Sequence, residues 1–201
     1  MPIYSPSGGI TTYAADTFTR GDSALTLGTS SAGGTWTAQI GTWGINTNQA
    51  YCPVPAGGAG NFNVATLPAS TSDGILACSI FFPVGATAVE CGILARFQDI
   101  NNFVLLDIAI SSTHLYVRQA GIFTKIDVGS AANNNAPLLA NTTIPVVLRA
   151  RGASITASVG SVEIGGTLPP TMPTATGCGL IVANNVDAAG VRWSALSYAS
   201  A

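Results

Sequence analysis

Nowhere does this chain place apolar residues at helical spacing over the ten or more positions that would matter. What recurs instead is a short alternating or continuously apolar run, closed by glycine, proline or asparagine. That pattern predicts strands joined by turns, at residues 36–40, 49–54, 62–67, 75–82, 88–97, 103–110, 114–119 and 123–128, then at 144–151, 154–159, 162–164, 178–183 and 191–198. The run His114-Leu115-Tyr116-Val117-Arg118 alternates and predicts one solvated face, whereas Phe103-Val104-Leu105-Leu106 is apolar on both faces and predicts a central strand. Asp99-Ile100-Asn101-Asn102, Ala120-Gly121-Ile122 and Pro83-Val84-Gly85 read as hairpin turns. The prolines of Leu168-Pro169-Pro170-Thr171-Met172-Pro173 each remove a ladder donor, so this stretch is expected to cross an end of the fold. Trp36 and Trp43, seven residues apart with glycine between them, are expected on adjacent strands of one sheet.

Two packed antiparallel sheets satisfy this pattern, and the inward anchors are expected to be Trp36, Trp43, Phe97 and Trp193. The 201 residues show no internal repeat and no second composition regime, so one domain over 16–201 is expected after an extended arm over 1–15. Only 8% of residues are charged, against roughly 25% in a typical soluble domain. Such a surface suits a protein covered by neighbours or kept soluble by Ser, Thr and Asn. Net charge is −2 with a single lysine, Lys125, and only Arg149 and Arg151 come close to a basic patch, so no nucleic-acid partner is expected. No apolar run reaches the roughly 18 residues of a spanning helix, so no membrane insertion is expected. Met1-Pro2-Ile3-Tyr4-Ser5-Pro6 has neither the basic start nor the apolar middle of a secretory signal, which predicts a cytosolic protein unless it leaves within a larger particle. Cys52, Cys78, Cys91 and Cys178 lack metal-ligand spacing and read as small buried hydrophobes; a Cys78–Cys91 disulfide across a hairpin near Gly85 is the minority reading.

Several motifs occur in a telling order. Asp16-Thr17-Phe18-Thr19-Arg20-Gly21-Asp22-Ser23 is followed by the glycine-broken tryptophan stretch at 33–51. Gly92-Ile93-Leu94-Ala95-Arg96-Phe97 runs into the Asp99 turn and Phe103, and Val146-Val147-Leu148-Arg149-Ala150-Arg151 leads through Gly152 to an alternating strand. Gly177-Cys178-Gly179-Leu180-Ile181 and Val191-Arg192-Trp193-Ser194 close the series. Over about residues 16–198 this order resembles the concanavalin A-like (LamG-like) jelly-roll domains of tailed-phage virion proteins. The resemblance implies an all-β, two-sheet antiparallel jelly-roll sandwich. It also implies a non-enzymatic structural role in a virion assembled in the host cytoplasm. A minor tail or tail-tip component that packs on other virion proteins comes first, and a capsid-surface decoration protein second. Symmetric positions on such a particle imply a homo-oligomer.

Chemistry gives fewer handles. Glycoside hydrolysis needs two carboxyls about 5–5.5 Å or 6.5–9.5 Å apart, and neither Glu90, Glu163 nor Asp107 has a carboxylate neighbour at strand spacing, so no enzyme activity is expected. His114, the one histidine, opens an ordinary alternating strand and reads as a surface residue. Many jelly rolls of this type carry a structural calcium, and that implication falls on Asp16, Asp22 and Asp187. Calcium takes six or more oxygens, so the weightier reading has Asp16 and Asp22 capping turns or pairing with Arg20 and Arg192. Arg20-Gly21-Asp22 spells an integrin tripeptide, but the family pattern already accounts for it. The rival functional class is a lectin-like module for host-surface glycan, with Tyr4, Tyr13, Tyr51, Tyr116 and Phe123 as candidate contacts.

Overall fold

The computed structural model describes residues 10–56, 62–83, 89–109, 112–127, 141–172, 174–183 and 188–200. Fifteen strands occupy them. β1 (Thr12–Asp16), β2 (Thr37–Ile40), β3 (Thr42–Asn46), β4 (Gln49–Val54) and β5 (Phe62–Leu67) come first. β6 (Gly74–Phe82), β7 (Glu90–Asp99), β8 (Asn102–Ala109), β9 (Ser112–Gln119) and β10 (Ile122–Lys125) follow. β11 (Thr142–Arg151), β12 (Ser154–Val159), β13 (Val162–Thr167), β14 (Gly177–Ala183) and β15 (Arg192–Ala199) complete the series.

One sheet runs β13-β12-β11-β6-β15-β4-β3, with β1 on the C-terminal half of β15; the other runs β10-β9-β8-β7-β14-β5-β2. Every pairing is antiparallel. Between the sheets lies a core in which Trp43, Trp193, Phe18, Phe82 and Tyr198 are almost wholly buried. The Trp43 and Trp193 rings lie 5.4 Å apart. Trp193 Nε1 then crosses the core to donate to the Gly92 carbonyl of the opposite sheet at 3.2 Å.

Several expectations need correction. Thr12–Asp16 is not arm but a strand on β15, while residues 1–9 lie outside the described set. The two tryptophans do not share a sheet. Trp36 leads into β2 of the seven-stranded layer, and Trp43 lies on β3 of the eight-stranded one. Gly41 makes the switch at φ +79°, and Trp43 Nε1 locks it by donating to the Ile40 carbonyl at 3.0 Å. β6 and β7 likewise belong to different layers, so they form no hairpin, and Gly85 lies outside the described residues. All four cysteines are buried free thiols whose pKa values burial pushes up, which leaves no thiolate nucleophile among them.

Phe97 also departs from its expected place. The alternation Ile93, Ala95, Phe97 points inward only if the strand is regular, but the ladder is irregular after Ala95 and Arg96 sits at φ +51°. That extra residue turns Arg96 inward and Phe97 out. Arg96, 4% exposed, donates to the Ser72 carbonyl, to Asp73 Oδ1 at 2.7 Å and to the Gly152 carbonyl at 2.6 Å, which ties β7 to the turns before β6 and β12.

A side chain at position 41 would meet both an unfavourable φ and the Asn63 amide, whose oxygen accepts from Ala56 N–H at 2.7 Å. Gly41→Ala is therefore expected to lower stability by about 1–3 kcal/mol, seen as a lower urea midpoint at unchanged slope.

Candidate functional site

The outer face of the seven-stranded sheet should be solvated, yet Val64, Leu94, Phe103, Leu105 and Ile181 on it are buried. Curvature explains this. β10 and β5 stand five strands apart, about 24 Å along a flat sheet. The rings of Phe123 on β10 and Phe62 on β5 nevertheless lie 5.3 Å apart. The sheet must therefore curl until its far strands meet above the middle ones. Phe123 also packs edge-on against Phe103 and Tyr116, and the Arg118 guanidinium lies 4.9 Å from the Phe123 centroid. At the centre of the curl Gly92 stands opposite Asp107, where a Cβ would collide with the Leu106 carbonyl.

Beside these rings lies a solvent-open cavity of about 220 Å³. Phe62, Leu105, Tyr116 and Phe123 form its apolar wall, and Glu90 and Asp107 supply its polar one. The register explains the meeting of the two acids. Gly92 pairs with Asp107 and Glu90 with Ala109, so Glu90 and Asp107 are diagonal neighbours on one face, a ladder spacing of about 7–8 Å between backbone positions. The expectation that neither acid has a carboxylate neighbour is corrected here, because the signal lay in strand pairing rather than in sequence spacing. Glu163 lies elsewhere, exposed on edge strand β13.

Burial, reinforced by the charge of Glu90, pushes the Asp107 pKa up to about 8, and burial raises that of Glu90 as well. Beside them His114 faces Asp107 across the β8–β9 ladder. Its Nδ1 lies 3.3 Å from Asp127 Oδ2, which also meets Lys125 Nζ at 3.4 Å. Asp127 Oδ1 accepts from Leu115 N–H at 3.0 Å, so this neighbouring acid is fully served.

No family model matches the sequence, and no curated protein matches it. Solved structures do. Carbohydrate-binding module CBM66 from Bacillus subtilis aligns at TM-score 0.53 and 16% identity, over 82% of this chain and 91% of the module. Domain 4 of AbnA, a GH43 extracellular arabinanase from Geobacillus stearothermophilus, solved with arabinotriose, aligns at 0.56 and 12%, over 95% and 93%. A Bacillus licheniformis β-glucanase aligns at 0.53 and 11%, over 96% and 98%. The chain is a jelly-roll β-sandwich.

Of the three calcium candidates, Asp16 and Asp22 lie among the described residues, where each accepts from protein donors. Asp16 is buried and takes both Arg20 guanidinium nitrogens at 2.8 Å, the Phe18 N–H at 2.8 Å and Trp36 Nε1 at 2.6 Å. Burial pulls its carboxyl upward, but the bonds from Arg20, Phe18 and Trp36 together outweigh that and hold it below its ordinary value. Asp22 accepts from Thr47 N–H at 2.8 Å, and Asp187 lies outside the described residues. Arg192 does not pair with either acid; its guanidinium lies over the Tyr51 ring at 4.6 Å. Of the candidate glycan aromatics, Tyr116 and Phe123 line the cavity. Tyr13 and Tyr51 belong to β1 and β4 of the other sheet, and Tyr4 lies outside the described residues. A second hollow of about 280 Å³ beside Arg96 and Asp73 has no aromatic wall, and its two charged groups pair with each other.

Between the ordinary carboxylate range and about pH 8, the folded chain keeps a proton on Asp107 that the unfolded chain has released. Stability therefore falls as pH rises through that window. Asp107→Asn is expected to melt at a higher temperature than the natural chain near pH 8 and at nearly the same temperature near about pH 4, measured by circular dichroism.

Proposed function

We propose that this jelly roll is a carbohydrate-binding module whose ligand enters the cavity between Phe62, Tyr116 and Phe123. The observation that carries the reading is the convergence of aromatic rings and two carboxyls on one small opening. Aromatic faces stack on the C–H faces of sugars, and carboxyls accept from hydroxyls. At about 220 Å³ the cavity is smaller than the roughly 300–1,000 Å³ of drug-sized pockets, so it suits a single sugar residue or chain end. Two similar solved domains support the reading, one a carbohydrate-binding module and the other solved with arabinotriose.

Titration calorimetry against a glycan panel tests it. At least one glycan is expected to bind, and Tyr116→Ala and Phe123→Ala are each expected to weaken it about tenfold or more while circular dichroism stays unchanged. Binding to no glycan in the panel would overturn the reading. Release of reducing sugar from any polysaccharide would overturn the reading as a module that only binds.

A second reading keeps the chain as a virion component, on the tail first and the capsid surface second, and as a homo-oligomer. The 8% charged fraction favours it, together with Leu25 at 82% and Ile10 at 81% exposure. Mass spectrometry of intact particles is then expected to find the chain; its absence removes this reading.

A further inference from the structure

We propose that the sugar residue taken by the cavity is cationic, an amino sugar whose free ammonium group sits between Asp107 and Glu90. The inference rests on the carbohydrate reading above and names the class of ligand.

Among the described acids that are buried, Asp107 stands apart. Asp16 is held by Arg20, Trp36 and Phe18 N–H, Asp127 by Lys125, His114 and Leu115 N–H, and Asp73 by Arg96 and Gly152 N–H. Asp107 is 6% exposed, lines the cavity, and makes no hydrogen bond among the described residues. A buried carboxyl without a donor is costly, and a second carboxyl beside it raises the cost.

The charged and titratable groups around it do not supply the missing donor. Glu90 on β7 is another acid, and Tyr116 on β9 is neutral. His114, also on β9, and Lys125 on β10 are engaged with Asp127. Arg118 is turned toward the rings of Phe103 and Phe123. The cavity therefore has an uncompensated acidic wall facing electron-rich rings, and a compact cation satisfies both at once. A bare metal ion fits less well, since calcium takes six or more oxygens and no group of three His, Cys, Asp or Glu suited to a metal occurs among the described residues.

A neutral hydroxyl can donate to one carboxyl, but it brings no charge to hold two ionised carboxylates side by side, so Asp107 keeps its proton. An ammonium group lets both ionise. When that group enters, the Asp107 proton leaves to solvent and the ligand keeps its own three. Binding should therefore release protons near neutral pH, because burial and Glu90 keep Asp107 largely protonated in the empty cavity.

The test is calorimetry on the intact chain near about pH 7, in two buffers of different ionisation enthalpy. The ligands are a glucosamine oligosaccharide, its fully N-acetylated counterpart and a neutral glucose oligosaccharide. The free-amine ligand is expected to bind about tenfold or more tightly than either and to release close to one proton. Asp107→Asn is expected to remove both the preference and the proton release, and circular dichroism reads its fold independently. Equal binding of all three ligands without proton release would overturn this inference and leave the carbohydrate reading standing. Binding of ethanolamine without binding of any oligosaccharide would keep the ammonium site and overturn the carbohydrate reading.

Discussion

The indole of Trp193 spans the sandwich. Its ring packs on Trp43 within the eight-stranded layer, and its N–H reaches the Gly92 carbonyl of the other layer. A buried indole N–H needs an acceptor, so this bond fixes the depth at which β7 sits against the core. Gly92 also stands opposite Asp107, which places the central rung of the cavity one residue from the core's principal anchor. Core packing and site geometry are thus coupled through a single backbone carbonyl.

The second consequence of the layered architecture is the curl. A sheet that bends until Phe62 meets Phe123 buries apolar residues on the face that would otherwise be wet. The chain thereby has two apolar cores, one between the sheets and one inside the curve of the seven-stranded sheet. The cavity beside that cluster is lined on one side by Glu90 and Asp107, charged side chains that cannot join the aromatic rings without a partner.

Much of the strand pattern could be read directly from the residues. The segments 49–54, 62–67 and 154–159 match observed strands end to end, because each is bounded by turn chemistry that admits little else. The Asp99–Asn102 and Ala120–Ile122 turns join β7 to β8 and β9 to β10 as expected. The failures share a cause. Thr12–Asp16 carries little apolar periodicity and becomes a strand only because β15 offers it an edge. Thr42–Asn46 is cut off by Gly41, whose change of layer looks like an ordinary glycine break in the sequence. Phe97 obeys an alternation that a bulge at Arg96 then breaks. Tyr116 and Phe123 could be named as candidate contacts and Glu90 and Asp107 as isolated acids, whereas their meeting in one cavity could not be read from the residues.

By itself the sequence determined that the backbone is extended, that its short strands pack in two layers, and that the three tryptophans lie between them. Side-chain period and turn residues are local properties, and they act before any long-range contact forms. Which layer each strand joins, how far one layer curls, and that Glu90 meets Asp107 were decided only in the tertiary structure. Those outcomes depend on register between strands remote in sequence, and register is set by the whole pattern of burial rather than by any one segment.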